Sequence, residues 1–185
     1  MYQILKEFLR SLKSETGRFN YIYGVLCLIP GQLGLSIREK VIAKYCKECG
    51  SDLKIQDYVR FINLHKISFG NNVVIASGSF LQGAGGINID DNVLLGPDVK
   101  IWTSNHITIN IDMPIIEQGY ELKQVTIGKD VWLGANVIVL PGVNIPKGCI
   151  VSAGSVVGVK KYPEYAIIAG NPSRVIGNRL QYKNK

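Results

Sequence analysis

The stretch 127-IGKDVWLGANVIVLPGVNIPKGCIVSAGSVV-157 sets an aliphatic residue at every sixth position: Ile127, Leu133, Val139, Ile145, Val151 and Val157. Four residues after the first five stand Val131, Val137, Val143, Cys149 and Ser155, all small or medium. Gly128, Gly134, Gly142, Gly148 and Gly154 fall between them. A period of six matches neither an α-helix nor a flat strand. It requires a chain that turns a corner in each repeat and points one aliphatic residue inward per side. Three such sides close a triangular coil, and stacked coils pair their backbones as parallel strands. Each coil buries the aliphatic residues of its neighbours, so stability accumulates along the stack. Cys149 takes one of the interior slots and is expected as a small core residue.

Toward the N-terminus the same phase holds at Ile89, Leu95 and Ile101, with Val93 and Val99 four places on. Phe69, Ile75 and Leu81 keep step before that, and a two-residue slip at Ile87–Asn88 joins the runs. An all-β solenoid is therefore expected over residues 53–176, with residues 177–185 as a basic tail. Residues 1–52 read as a short helical region. Ile4, Leu5, Phe8, Leu9 and Leu12 recur at helical spacing among Lys6, Glu7, Arg10 and Lys13. The apolar run Tyr21 to Ile29 is too short to span a bilayer and breaks at Pro30 and Gly31. A further helix is expected over Ile37 to Lys47, stopped by Gly50.

Hydrophobic residues make up 46% of the chain and charged ones 19%, a composition that folds rather than stays disordered. The net charge is +7. Basic residues gather before residue 50 and again at Lys160, Lys161, Arg174, Arg179, Lys183 and Lys185. No nucleic-acid module accompanies them and aromatics are not interleaved, so no nucleic-acid partner is expected. A phosphate-bearing small molecule or an anionic membrane surface fits better. The opening residues carry Lys6, Glu7 and Arg10, unlike a secretory signal, so a cytoplasmic setting with reduced thiols is expected. Cys46 and Cys49 form a lone C-x-x-C without a second ligand pair, which argues against zinc.

The repeat is interrupted once. After Ile101 come Trp102, Thr103, Ser104, Asn105 and His106, and residues 107–126 leave the six-residue phase. A regular stack gains nothing from ejecting such a loop, and loops of this size usually carry function. His106 stands at the point of departure. An imidazole suits the removal of a hydroxyl proton near neutral pH, though a corner histidine can also simply hydrogen-bond the turn. Asp112 and Glu117 lie within the ejected loop.

The 127–157 string, with the tail 169-AGNPSRVI-176, resembles the hexapeptide-repeat acyltransferase family, and the resemblance spans residues 53–176. It implies a left-handed parallel β-helix, a homotrimer with active sites between subunits, acetyl-CoA as co-substrate and no metal. It implies His106 as general base in direct transfer to an acceptor hydroxyl. Asn105, Trp102 and Glu117 are the candidates to meet the acceptor, Glu117 and Asp112 also to hold the base. The corners Gly134–Ala135 and Ala153–Gly154 match positions where backbone groups hold the pantetheine arm, and Trp132 would wall its channel or pack under the loop. Lys160, Lys161 and Arg174 match the phosphate-binding end, with one extra residue between Ser155 and Pro163.

Within the family the chain looks closest to O-acetyltransferases of capsule, O-antigen and exopolysaccharide synthesis, through 30-PGQLGLSIR-38 and the helical leader. In the galactoside and maltose branch an Asn assists one coil before the base; Gly78 aligns there, a departure from that branch. An N-acyltransferase on an amino-sugar nucleotide, a streptogramin-type acetyltransferase sharing the Asn-His pair, and a non-enzymatic scaffold are the alternatives. A γ-type carbonic anhydrase needs three histidines, and His65 and His106 are two. His65, in the first irregular coil, is expected to be structural. For the leader, capping of the first coil and contact at the inner membrane face are the two readings.

Overall fold

The six-residue phase builds three parallel sheets, the sides of a left-handed triangular coil, in a computed structural model that describes residues 1–182. Lys183 and Lys185 lie outside the described residues. The first face stacks Glu48–Cys49, Ile67–Phe69, Ile87–Ile89, Val125–Ile127 and Asn144–Ile145. The second stacks Lys54–Ile55, Val74–Ile75, Leu94–Leu95, Trp132–Leu133, Ile150–Val151 and Ala166–Ala169. The third stacks Arg60–Ile62, Phe80–Gln82, Lys100–Trp102, Ile138–Val139 and Val156–Val157. Arg174–Asn178 runs antiparallel against Ala166–Ala169 and crosses the expected tail boundary. Arg179 then ties the tail down, pairing with Asp130 at 2.9 Å.

Inward positions are those the period names. Ile75, Leu95, Leu133 and Val151 stack on the second face, and Leu81, Ile101, Val139 and Val157 on the third, all fully buried. Cys149 is buried among them, its Sγ 3.4 Å from the Pro163 carbonyl. Each such aliphatic side chain contributes about 1.5–3 kcal/mol of burial.

Corners decide the pitch. After the first face, Asp52, Asn72, Asn92, Asp130, Gly148 and Tyr165 take left-handed backbone conformations; after the second, Tyr58, Gly78, Asp98, Asn136 and Gly154 do. Asn, Asp and Gly dominate both columns because short or absent side chains tolerate positive φ. The third corner has left-handed residues too, at Asn63, Gly86 and Gly142, but they share no register and form no column. It holds a 3₁₀ turn (Leu64–Lys66), then Gly83–Gly86, then the ejected loop. Lys54 pairs with Val74 and Val74 with Leu94, twenty residues apart, whereas Trp132 pairs with Ile150, eighteen apart. The slip expected once, at Ile87–Asn88, is therefore present in each early coil, always at the third corner.

The leader folds as α1 (Tyr2–Ser11), α2 (Glu15–Leu26) and α3 (Gly31–Tyr45). The last starts six residues before the expected Ile37, because extended Pro30 caps it directly. The strand Glu48–Cys49 already belongs to the solenoid. Helices α2 and α3 cover the open end of the first coil with Phe19, Tyr23 and Ile42, and an aromatic chain runs Phe19–Tyr23–Phe61–Phe69. Arg38, only 1% exposed, pins this cap. It donates to the carbonyls of Leu26 (3.1 Å) and Ile29 at the end of α2 and of Ile55 (2.8 Å) in the first coil. Gly34 makes room: a Cβ there would collide with the Ile29 carbonyl and sit 2.6 Å from the guanidinium. The stretch 30–38 is thus a capping device. Helix α1 stays off the core, with Ile4 and Leu5 exposed.

Candidate active site

The ejected loop leaves the third face through Thr103, which turns inward and is fully buried. Its hydroxyl donates to the Gln82 carbonyl at 2.6 Å and accepts from the Gly85 amide at 2.8 Å. The Gln82 side-chain oxygen accepts from the Thr103 amide at 3.1 Å. Lys123 N–H closes the neck by donating to the Thr103 carbonyl at 2.9 Å. Beyond the neck, Ser104–His106 pairs antiparallel with Tyr120–Leu122, so the loop is a hairpin standing out from the coil. Gln118 pins its tip, donating to the carbonyls of Asn110 (2.7 Å) and Met113 (2.8 Å).

His106 lies opposite Tyr120 in this hairpin, ring centroids 4.4 Å apart, and its amide donates to the Asn105 side chain at 3.0 Å. Hairpin and third face enclose an open pocket of about 640 Å³. Gln82, Trp102, Ser104, Asn105, His106, Tyr120 and Glu121 supply its polar and aromatic lining; Ile62, Leu140, Pro141 and Val159 form its apolar floor. Trp102 packs on Phe80 at 5.0 Å, which sets the indole against the pocket wall. Asn105 and Trp102 therefore share a cavity with His106. Glu117 does not: it sits in the 3₁₀ turn Ile115–Glu117 near the loop tip. Glu121 takes its place in the lining, paired with Lys123 at 2.9 Å. Both partners are about half exposed, so the pair adds little stability.

Gln82 was missed by sequence reasoning. It stands in register with Trp102, one coil earlier, and donates to the Ser104 hydroxyl at 2.6 Å. Gly78 stands in the second corner column, at φ +76° against Asp98, and does not line the pocket. Twenty residues counted back from Trp102 would have found Gln82.

The residues matched to the coenzyme lie elsewhere on the coil. Gly134–Ala135 and Ala153–Gly154 stack at the second corner, one coil apart. The Gly134 amide donates to Val151 and the Gly154 amide to Ala135, both at 2.8 Å, so those two N–H groups are engaged. The Ala135 and Ala153 amides have no acceptor among the described residues. A Cβ on Gly134 would lie 2.7 Å from the Ala153 nitrogen, so glycine is needed for this close stacking. Trp132, 47% exposed, lies on the second face beside Leu94 and Ile150, not under the loop. Lys160 donates to the Ser173 carbonyl at 3.1 Å; buried Tyr162 bonds Gly158 and Ser173 and fixes the segment. Lys161 and Arg174 are exposed and make no ion pair among the described residues.

These two sets occupy opposite edges of the third face. The second corner precedes its strands, and the His106 pocket lies where they end. About four residues of extended chain, roughly 13 Å, separate Asn136 from Leu140. One chain alone holds His106 and the free amides apart.

Two other groups sit away from this pocket. His65 is exposed in the 3₁₀ turn and lines a cavity of about 340 Å³ beneath the helices, with Glu15 and Lys44. Burial, and then its neighbour Cys49, push the Cys46 thiol up to about 12.

Comparison with known proteins adds a lineage. Residues 124–158 match a model described as the hexapeptide repeat of succinyl-transferase. A galactoside O-acetyltransferase of Escherichia coli is 30% identical over 139 residues, 75% of this chain and 67% of that protein. A candidate acetyltransferase of Saccharomyces cerevisiae is 40% identical over 58% of this chain, which spans only 57% of that protein's length. A galactoside acetyltransferase solved with coenzyme A superposes with a TM-score of 0.75 at 25% identity, covering 87% of this chain and 80% of that one.

Proposed function

We propose that this chain, which belongs to the hexapeptide-repeat acyltransferases, transfers an acetyl group from acetyl-CoA to a hydroxyl of a sugar-type acceptor. The observation that carries the reading is the His106 pocket: an imidazole, a glutamine, an asparagine and an indole gathered where the coil ejects its hairpin. Similarity to galactoside acetyltransferases, one solved with coenzyme A, supports the donor and the acceptor class.

His106 takes the proton of the acceptor hydroxyl as its oxygen attacks, and returns it to the leaving sulfur. The bound coenzyme supplies a thioester carbonyl. Ala135 and Ala153 N–H groups suit the oxygen of that carbonyl or the amides of the pantetheine arm, because no other group among the described residues accepts from them. Lys161 and Arg174 suit the phosphates, with Lys160 holding the closing segment through Ser173. Trp132 flanks the same side of the coil. Trp102 offers an aromatic face to a sugar ring, and Gln82 and Asn105 offer hydrogen bonds to its hydroxyls.

We further propose a homotrimer, in which the hairpin of one copy meets the second corner of the next. The separation of base and free amides within one chain supports this arrangement, as do the exposed Ile109, Ile111 and Ile116 of the hairpin, at 89%, 93% and 81%. Glu117, outside the pocket of its own chain, would then stand near a neighbour's. Light scattering is expected to give three times the chain mass, and Ile109→Glu/Ile116→Glu to lower it; a monomer at assay concentration counts against the shared site.

Acceptor identity is the finer question. A free sugar and a polysaccharide precursor both fit the open pocket, and the capsule, O-antigen and exopolysaccharide reading rests on the leader and residues 30–38. The decisive experiment follows thiol release from acetyl-CoA over a panel of free sugars, nucleotide sugars and lipid-linked glycans. Release that depends on a hydroxyl acceptor and on His106 is expected. Transfer only to an amino group would replace the O-acetyl reading, and full activity without His106 would remove the mechanism.

A further inference from the structure

Two surfaces of this chain expose large apolar side chains in clusters, and their charges differ. The hairpin carries Asp112 and Glu117 and no Lys or Arg between residues 107 and 119. The outer face of α1 and α2 shows Ile4 (73%), Leu5 (54%), Ile22 (45%) and Val25 (66%), and Leu28 (55%) in the turn after α2 continues it. Phe8 and Tyr21 join the two helices edge to face at 4.8 Å, so the apolar surface is continuous across them. Lys6, Arg10 and Lys13 follow the polar side of α1, against a single acid, Glu7. Arg18 holds the turn, donating to the carbonyls of Leu12 (3.2 Å) and Lys13 (3.1 Å).

The inner faces of α2 and α3 already close the first coil, so capping does not account for α1 or for the outer face of α2. No helix of the described residues is long and apolar enough to cross a membrane. An apolar stripe with basic residues along its border is the pattern of a helix lying in the plane of an anionic bilayer. Long Lys and Arg side chains reach past the apolar edge to the headgroups while the aliphatic residues sink below them. A neighbouring protein is the weaker occupant, since the border is a fringe of three cations, Lys6, Arg10 and Lys13, against the one acid Glu7.

We propose that the outer face of α1 and α2 seats the protein on an anionic membrane surface, with Ile4, Leu5, Ile22 and Val25 inserted and Lys6, Arg10 and Lys13 at the headgroups. Sedimentation of the full chain with vesicles tests it, using phosphatidylcholine alone and phosphatidylcholine with about one third phosphatidylglycerol, in about 0.1 M salt. The chain is expected to pellet with the anionic vesicles and to stay in solution with the neutral ones. Lys6→Gln/Arg10→Gln/Lys13→Gln is expected to weaken partitioning about a hundredfold, at roughly fivefold per basic residue. Ile4→Glu/Leu5→Glu is expected to abolish it without moving the thermal unfolding midpoint, because α1 lies outside the core. Indifference to anionic vesicles overturns the proposal, and so does equal binding to both kinds. Binding that survives Ile4→Glu/Leu5→Glu overturns the insertion. A particle mass that this variant halves would assign the face to a second copy of the assembly instead.

Discussion

Along the first two corners of the coil the left-handed residues run in columns, from Asp52 to Tyr165 and from Tyr58 to Gly154, while the third corner changes its form in successive coils. There a 3₁₀ turn, a glycine run, a projecting hairpin and the tight Pro141–Gly142 turn follow one another. The difference separates two duties. Regular corners set the distance between coils, so their residues answer to backbone geometry. The irregular corner sets nothing for its neighbours, and side chains there are free to gather around a cavity. Gln82, Trp102, His106 and Leu140 all stand at or next to that third corner.

The comparison breaks if substitutions at the third corner unfold the protein or if core substitutions spare it. The largest effect is expected for His106→Ala, a loss of about two to four orders of magnitude in turnover with no shift in thermal unfolding. Steady-state kinetics beside a melting curve would reveal a purely structural histidine, whose loss lowers the midpoint and leaves the turnover of folded enzyme intact. Leu133→Ala, in the inward stack, should lower the unfolding free energy by about 2–5 kcal/mol in a denaturant titration. A cost under about 1 kcal/mol would mean that the stack relaxes around the gap.

At the capped end, Arg38→Met should cost about 2–4 kcal/mol, since it strands the carbonyls of Leu26, Ile29 and Ile55. Calorimetry showing no change would mean that water replaces the guanidinium. The smallest effect concerns Cys46. With its thiol raised to about 12, the folded state favours the protonated form. The stability this gives is present below the ordinary thiol range and fades as pH climbs from about 9 toward 12. Iodoacetamide at pH 8 should accordingly label Cys46 more slowly in the folded chain than in urea; equal rates would contradict the burial.

Much of this was open to reading because each inward slot admits few residue types. Leu95, Leu133 and Val151 are forced to be aliphatic by the coils around them, so the period is written plainly in the chain. The pocket was only half legible. His106 could be picked out by its position at the interruption. Gln82 was passed over, although the two-residue slip at Ile87–Asn88 already makes the twenty-residue coil that brings it beside Trp102. Glu121 was passed over for Glu117 because the hairpin register, not proximity in sequence, turns one toward the cavity. The leader gave its apolar faces away but not what covers each. Amphipathicity is the same whether a face meets a coil, as in α2 and α3, or is left bare, as in α1.

The bond from Lys123 N–H to the Thr103 carbonyl has an evolutionary consequence. Leu94 pairs with Trp132 and Lys100 with Ile138 as though the intervening hairpin did not exist, because the chain closes the gap before re-entering the coil. The hairpin is therefore a cassette. Its length and sequence can be exchanged at little entropic expense, since loop closure grows only slowly with length. Transplanting a relative's hairpin between Thr103 and Lys123 should retune acceptor choice while the scaffold keeps its register, a route by which one solenoid acquires many substrates.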